Sequence, residues 1–370
     1  MNDIFKLADD LGPLKVIHVH EPGSGLKGVL VVDNVARGPS VGGVRMAVDA
    51  TTEECARLAR AMTFKNAAAD LQHGGGKAVL VGDPKMPRVQ KEILIRGFCS
   101  ALQEVEQYIF APDMGTDEEC MGWVKDEIGR VVGLPRELGG IPLDEIGATG
   151  FGLSHAVDVA REFCDFDIKG ARTVVQGFGA VGKHAARFLC KQGAIVVAVS
   201  DTAGTIHDPD GLDVDALIDL KAAGRSVTEH DAGEKLDGDA IIDIECEIWI
   251  PAARPDVIHE GNVDRLNARM IAQGANIPIT YAAEKILHQK GVLNIPDFIA
   301  NAGGVICAAT EYQGAGEAAA FTAIEEKLRR NTREVLETAN REQILPRDAA
   351  LAMARRRVAQ AMSYRRWHIF

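Results

Sequence analysis

Arg172-Thr-Val-Val-Gln-Gly-Phe-Gly-Ala-Val-Gly182 runs from an apolar segment straight into G-x-G-x-x-G. Arg172 to Gln176 reads as a strand, and Lys183 to Lys191 as a helix that Gly193 stops. A second strand, Ala194 to Val199, ends in Ser200-Asp201, which puts an acid nineteen residues after Gly182. A lone G-x-G-x-x-G is a weak signal. Between a strand and a helix, with that acid following, it is a dinucleotide-binding fingerprint. Gly177, Gly179 and Gly182, with Phe178, Ala180 and Val181 between them, permit the tight turn and the close approach of a pyrophosphate to a helix N-terminus. Asp201 is expected to accept hydrogen bonds from the adenosine ribose and to repel a 2′-phosphate, which favours NAD as the cofactor.

Working towards the C-terminus, further strands are expected at Ala240 to Ile244, Ile248 to Ile250, Met270 to Ala272 and Val292 to Ile295. Alternation with helices predicts a doubly wound parallel sheet. Loops carrying Ala252-Ala253, Gly274-Ala275-Asn276 and Asn301-Ala302-Gly303-Gly304 leave those strands, so they are expected to face the cofactor cleft. Phe321 to Asn340 and Ala349 to Met362 read as long helices separated by Pro346. The basic residues Arg355 to Arg357 and Arg365-Arg366 read as a solvated or intersubunit surface.

Towards the N-terminus, Lys15 to His20, Gly28 to Asp33, Ala78 to Val81 and Tyr108 to Ala111 read as strands, and Val89 to Gln107 as a helix. Thr51-Thr52-Glu53-Glu54 is a helix start, with Ala56, Ala59, Met62 and Thr63 on one face and Lys65 a turn further on. Gln72-His73-Gly74-Gly75-Gly76-Lys77 reads as a glycine-rich turn, either a flexible surface turn or one presenting Lys77 to a ligand. Asp113, at a strand end before Met114-Gly115, is either a turn former or a functional carboxylate. Gly147 to Gly152 carries three glycines and is read as the hinge between two domains or as a helix-start loop.

The 370 residues suffice for two domains with a buried core. A net charge of -12 excludes the clustered basic surface of a nucleic-acid binder. The first residues lack the basic start and apolar core of a secretion signal, and no apolar run approaches the ~20 residues of a membrane span. Cys55, Cys99, Cys120, Cys164, Cys190, Cys246 and Cys307 are scattered and fit neither a metal site nor a disulfide framework, so a cytoplasmic protein with reduced thiols is expected.

The chain resembles the glutamate/leucine/phenylalanine/valine dehydrogenases along nearly its whole length. The resemblance rests on ordered motifs: GGVRM (Gly42 to Met46), MTFKNAAA (Met62 to Ala69), GGGKAV (Gly74 to Val79), APDMGT (Ala111 to Thr116), ATGFG (Ala148 to Gly152), GFGAVG, PAA, GAN and NAGGV (Asn301 to Val305). It implies an α/β protein with a mixed-sheet domain for substrate and oligomerisation, residues 1–147 with about 335–370, and a Rossmann domain, residues 148–334. It implies NAD(P)-dependent, reversible oxidative deamination of an L-amino acid to a 2-oxo acid and ammonia by a homo-oligomer, the two domains closing to align the reactants.

By that resemblance Lys65 holds the substrate carboxylate, Lys77 is the catalytic lysine and Asp113 the proton-transfer carboxylate. Thr149 meets the nicotinamide carboxamide, Asn276 lies by substrate and nicotinamide, and Ala252, Ala253 and Asn301 border the cofactor. Lys77 has to work near neutral pH, below the ~10.4 of a free lysine, and Lys65 with partial burial would favour its neutral form. Intact Lys65, Lys77 and Asp113 argue against a non-catalytic dinucleotide sensor.

Overall similarity points to glutamate, but the pocket positions depart from that branch. Glutamate enzymes place a lysine immediately before GG-x-R, where this chain has Val41, and a serine four residues after NAGG, where it has Ala308. An unpaired side-chain carboxylate there costs several kcal/mol. Val41, Ala111, Val305 and Ala308, beside Gly43, are therefore expected to line an apolar pocket for leucine or phenylalanine, with glutamate dehydrogenase as the alternative. His73 is read as a packed imidazole or as a polar substrate contact.

Overall fold

A computed structural model describes residues 5–364, which divide into two compact units. The first holds residues 5–142, 307–320 and 351–364, and the second holds 143–306 and 321–350. The glycine-rich hinge position at 147 thus lies close to the observed division. Residues 307–320 pack with the first unit and 335–350 with the second, the reverse of the expected assignment.

In the first unit the order is β1 (Lys15–Glu21), β2 (Leu26–Asn34), β3 (Ser40–Ala47), α1 (Thr52–Ala68), β4 (Gly74–Val81), α2 (Arg88–Ala101), β5 (Tyr108–Pro112) and α3 (Glu118–Ile128). The sheet runs β1-β2-β4-β3-β5, antiparallel from β1 to β4 and parallel across β4, β3 and β5. Because side chains alternate along a strand, each face has its own partner. Val44, Met46, Ala78, Leu80, Tyr108 and Phe110 bury one face against Phe98 of α2 and Trp123 of α3. Val29, Val31 and Val79 meet Cys55 and Ala59 of α1 on the other.

The glycine triplet is not a turn. Gly74, Gly75 and Gly76 are buried residues of the central strand β4. A Cβ on Gly75 would lie 2.0 Å from the backbone nitrogen of Thr63, and one on Gly76 2.9 Å from the Tyr108 ring. Glycine is required because α1 and the neighbouring side chains approach the strand too closely for any Cβ. α1 begins where the sequence places it, with the Thr51 hydroxyl accepting from the Glu54 N–H. Its C-terminal carbonyls at Ala67 and Ala68 accept from the Arg357 guanidinium at 3.1 and 2.9 Å. Arg357 therefore docks the C-terminal helix rather than standing in solvent. Arg365-Arg366 lie outside the described residues.

In the second unit come α4 (Ala148–Ala160), β6 (Arg172–Gln176), α5 (Ala180–Lys191), β7 (Ile195–Asp201), β8 (Gly204–His207), α6 (Val214–Ala222), β9 (Glu234–Leu236), β10 (Cys246–Pro251), β11 (Ala268–Ala272), α7 (Tyr281–Gln289), β12 (Leu293–Ile295) and α8 (Asp297–Ala300). The chain continues through α9 (Gly303–Tyr312), α10 (Glu317–Glu342) and α11 (Pro346–Tyr364), with Pro346 as the first residue of α11 rather than a break before it. The sheet order is β12-β11-β10-β6-β7-β8-β9, parallel from β12 to β7 with an antiparallel edge at β8 and β9.

Two expectations fail locally. Ala240 to Ile244 is no strand, because Gly238–Asp243 forms a 3-10 helix that buries Ile241 and Ile242 side by side in the core. The helix expected to reach Gln107 stops at Ala101, and turns lead from there to β5. All seven cysteines are free, and Cys164 and Cys190 are the ones not fully buried. No helix among the described residues is long and apolar enough to cross a membrane.

Gly75→Ala should lower the free energy of unfolding by about 1–3 kcal/mol, the usual cost of overpacking a dense interior. Urea denaturation measures it, and an unchanged midpoint would contradict the close contact with α1.

Candidate functional site

Alternation along three parallel strands puts Val41, Gly43 and Arg45 of β3, Gly75 and Lys77 of β4, and Ile109 and Ala111 of β5 on the α1 face of the sheet. Asp113 follows directly after β5. Its Oδ2 receives the Lys77 Nζ in a short ion pair and the Arg45 Nε at 3.3 Å. Lys77 is buried, with 6% of its surface exposed, so the ion pair sits largely out of water. Burial alone would raise the Asp113 carboxyl. The charge and hydrogen bond of Lys77, then the Met114 N–H and last the charge of Arg45, hold it below the ordinary carboxylate range.

The surrounding backbone fixes that carboxylate. The Asp113 N–H donates to the Thr116 hydroxyl at 3.0 Å, and that hydroxyl donates to the Val44 carbonyl at 2.8 Å. A Cβ on Gly43 would stand 2.6 Å from the Cβ of Asp113, so glycine is what lets the carboxylate reach the strand. Beneath it the Tyr108 hydroxyl donates to the Gly42 carbonyl at 2.6 Å. Lys65 stands in the last turn of α1, between Thr63, which packs on Gly75, and Asn66, whose amide donates to the Gly74 carbonyl at 2.7 Å.

Further along the same face Val41, Ile109 and Val132 form a small apolar cluster, with Ala111 and Ala308 packed against it. The described side chains of this cluster bring no charge to it. Val305 lies about one turn earlier on α9 and is half-buried. α9 is tied down by Glu311, whose carboxylate accepts from the backbone N–H groups of Gly133, Leu134 and Ile141 at 2.8, 3.1 and 3.0 Å. His73 is a packed imidazole. Nδ1 lies 3.2 Å from the Pro39 carbonyl, the ring meets Tyr312 edge-on, and burial lowers its pKa.

Sequence reading missed Arg45, Glu311, Ile109 and Val132. Strand alternation could have found Arg45, two positions beyond Gly43. Helical spacing could have found Glu311, three beyond Ala308.

In the second unit the chain reverses its direction of winding at β6, and GFGAVG stands at the carboxyl end of that strand. Gly177 has φ +91°, and a Cβ on Gly182 would lie 1.9 Å from the Gly177 carbonyl oxygen, so the first glycine makes the turn and the last seats α5 against it. Gly179, at the N-cap of α5, has open space where a Cβ would be and makes no side-chain cap bond. The orphan N–H groups of the α5 first turn and that cradle fit a pyrophosphate.

Thr149 lies in the first turn of α4, where Gly303 and Gly304 approach closely: a Cβ on Gly303 would be 2.2 Å from the Ala148 carbonyl oxygen, and one on Gly304 3.1 Å from the Thr149 hydroxyl. The Asn301 amide donates to the Asn276 side-chain oxygen at 3.1 Å, while its own Oδ1 is buried without a partner among the described residues. Ala253 packs on Gly177, and the Ala252 N–H donates to the Gln176 carbonyl at 2.7 Å. The structure thus gathers Gly177, Gly182, Ala252 and Ala253 at the adjacent carboxyl ends of β6 and β10.

Asp201 is engaged differently from the expectation. Its carboxylate accepts from Lys221 Nζ at 2.8 Å, Ser226 Oγ at 2.9 Å and the N–H groups of Ala203 and Val227 at 3.0 Å. Burial opposes ionisation there, and these donors, Lys221 first, overcome it and lower the pKa. Four donors match the roughly four acceptor sites of a carboxylate, so a ribose hydroxyl would have to displace one of them.

Residues 13–130 match the family described as Glu/Leu/Phe/Val dehydrogenase, dimerisation domain, and residues 139–366 match Glutamate/Leucine/Phenylalanine/Valine dehydrogenase. A glutamate dehydrogenase of Aeropyrum pernix is 38% identical over 358 residues, which take in 90% of this chain and 85% of the relative. An NADP-specific glutamate dehydrogenase of Saccharolobus shibatae is 36% identical over 293 residues, 75% of this chain and 69% of the relative. An NAD-specific one of Staphylococcus aureus is 34% identical over 355 residues, 90% and 85%. Among solved structures, the hetero-hexameric glutamate dehydrogenase of Thermus thermophilus in a leucine-bound form superposes with a TM-score of 0.84 at 29% identity, covering 96% of this chain and 91% of that one. On these matches the chain belongs to the glutamate/leucine/phenylalanine/valine dehydrogenase family, oxidoreductases that act on the CH–NH2 group of amino acids.

Proposed function

We propose that this protein carries out the NAD-dependent, reversible oxidative deamination of an L-amino acid with a large apolar side chain, of the leucine or phenylalanine type, to the 2-oxo acid and ammonia. The observation that carries the reading is the uncharged cluster of Val41, Ile109, Val132, Ala111 and Ala308 on the Lys77 face of the sheet. A glutamate side chain there would bury a carboxylate against aliphatic groups, costing several kcal/mol and orders of magnitude in specificity.

In the proposed reaction Lys65 pairs with the substrate carboxylate, a contact that a closed site needs once water is excluded. Asp113 takes a proton from the substrate ammonium. The bound nicotinamide supplies the hydride acceptor, aligned by Thr149, Asn276 and Asn301, with the pyrophosphate on the α5 N-terminus. Neutral Lys77 then removes a proton from the water that adds to the imino carbon. Asp113 returns its proton to nitrogen; as the C–N bond breaks and ammonia leaves, the hydroxyl proton passes to the Asp113 carboxylate, the 2-oxo acid remains, and Lys77 and Asp113 release their protons to solvent. The dimerisation-domain match and the hetero-hexameric structural neighbour support an oligomer, which the reading takes to be a homo-oligomer. The free, mostly buried thiols support a cytoplasmic setting.

A second reading, glutamate dehydrogenase, is favoured by the names of the relatives. A panel of L-amino acids with purified protein separates the two. Leucine or phenylalanine should give the highest kcat/KM, with glutamate at least ~100-fold lower. Glutamate as the best substrate would overturn the apolar-pocket reading.

For the cofactor, the Asp201 carboxylate favours NAD, but its ion pair with Lys221 offsets part of the charge. The expected preference in kcat/KM is therefore modest, about tenfold (~1.4 kcal/mol), and Lys221→Ala should widen it by weakening NADP. A preference for NADP in the unmodified protein would contradict the assignment.

A further inference from the structure

The proposed reaction asks Lys77 to give up its proton while Asp113 stays ready to accept one. With only those two groups in the site, this fails: a buried carboxylate beside a lysine that has lost its charge is itself driven to take a proton. The first unit contains a third ion that the reaction does not yet use. Arg45 on β3 reaches the same Oδ2 of Asp113 that Lys77 contacts, at 3.3 Å through Nε. Its Nη1 donates to Glu54 Oε1 of α1 at 2.7 Å. The side chains of Arg45, Asp113 and Glu54 are 19, 20 and 28% exposed, so the cluster is shielded from water and its members feel one another strongly.

We propose that Arg45 is a positioning residue that holds Asp113 oriented and keeps it ionised, while Lys77 is neutral, until the substrate ammonium delivers its proton, with Glu54 balancing the arginine when Lys77 is charged. This rests on the roles given above to Lys77 and Asp113. Arginine suits the task because it does not deprotonate in proteins and cannot exchange its proton with the carboxylate. With Lys77 protonated, the cluster holds two cations, Lys77 and Arg45, and two anions, Asp113 and Glu54. With Lys77 neutral, Asp113 keeps one fixed cation. The other titratable groups around the cluster do not substitute for it. Tyr108 and Cys55 are kept neutral by burial, Cys55 pushed up to about 12. Lys91 of α2 is turned to the Gly115 carbonyl at 3.1 Å, and Lys65 is committed to the substrate carboxylate in the proposed reaction.

The test is the pH profile of amino acid oxidation, kcat and kcat/KM, for Arg45→Gln, Arg45→Lys and Glu54→Gln beside the unmodified enzyme. Losing a cation makes proton loss from its neighbours harder, and losing an anion makes it easier. Arg45→Gln should lower kcat at least ~10-fold and move the lower limb of the profile up by about 0.5–1 pH unit, with KM for NAD unchanged. Arg45→Lys should recover most of the rate and the position of the limb. Glu54→Gln should move the limb the other way. Limbs that stay in place, or that move together in Arg45→Gln and Glu54→Gln, would overturn the proposal. If Arg45→Gln does not fold, an unmoved limb in Glu54→Gln overturns it alone. Lys77→Ala is the control for the parent reading and should lose turnover by orders of magnitude while still binding NADH. An active Lys77→Ala enzyme overturns both readings, and an inactive one with an unchanged Arg45→Gln profile overturns only the role of Arg45.

Discussion

The close approach of α1 to the glycine strand β4 is the constraint on which the first unit depends. Because no Cβ fits between Thr63 and Gly75, the helix lies down on the strand, and the next residue on that face is Lys77. A lysine on the central strand of a packed sheet has little freedom, unlike one on a glycine loop. The same face carries Gly43 and Arg45 on one neighbour and Ala111 on the next, with Asp113 following. Where the glycines leave room, the ion pairs form, and further along the strands the aliphatic cluster takes over. Charge and apolar surface are thus separated along one sheet face, and an amino acid needs both: ionic partners for its head and a dry wall for its side chain.

Much of the second unit was legible from local spacing. A strand, three glycines, a helix start and an acid lie within thirty residues of one another, so short-range rules suffice for β6, α5 and β7. The short strands β8 and β9 escaped because Gly204–His207 and Glu234–Leu236 are too brief and too polar to show a pattern. Ile241 and Ile242 misled because adjacent isoleucines look like a buried strand, and only the third dimension reveals a 3-10 turn under the sheet.

In the first unit the candidate site residues were named by motif, while their setting was not legible. The glycine triplet was read as a turn because glycine's local meaning is flexibility. Its actual cause is a helix backbone contributed from earlier in the chain. Local spacing can place Arg45 and Glu311 on their faces but not name their partners, since Asp113 and Gly133 lie far away in sequence. Asp201 shows the converse. Its position was right, but its four internal donors, from residues 203 to 227, could not be read from the fingerprint.

The central claim is that the uncharged wall at Val41 and Ala308 sets the substrate. It is tested most directly by supplying the missing charge and hydroxyl together, as Val41→Lys with Ala308→Ser, and measuring kcat/KM for glutamate and for leucine. The account predicts that glutamate gains and leucine loses, each by at least ~10-fold, since a buried carboxylate acquires its partner while an aliphatic side chain meets an unpaired ammonium. A double variant whose glutamate-to-leucine ratio matches that of the unmodified enzyme would contradict it.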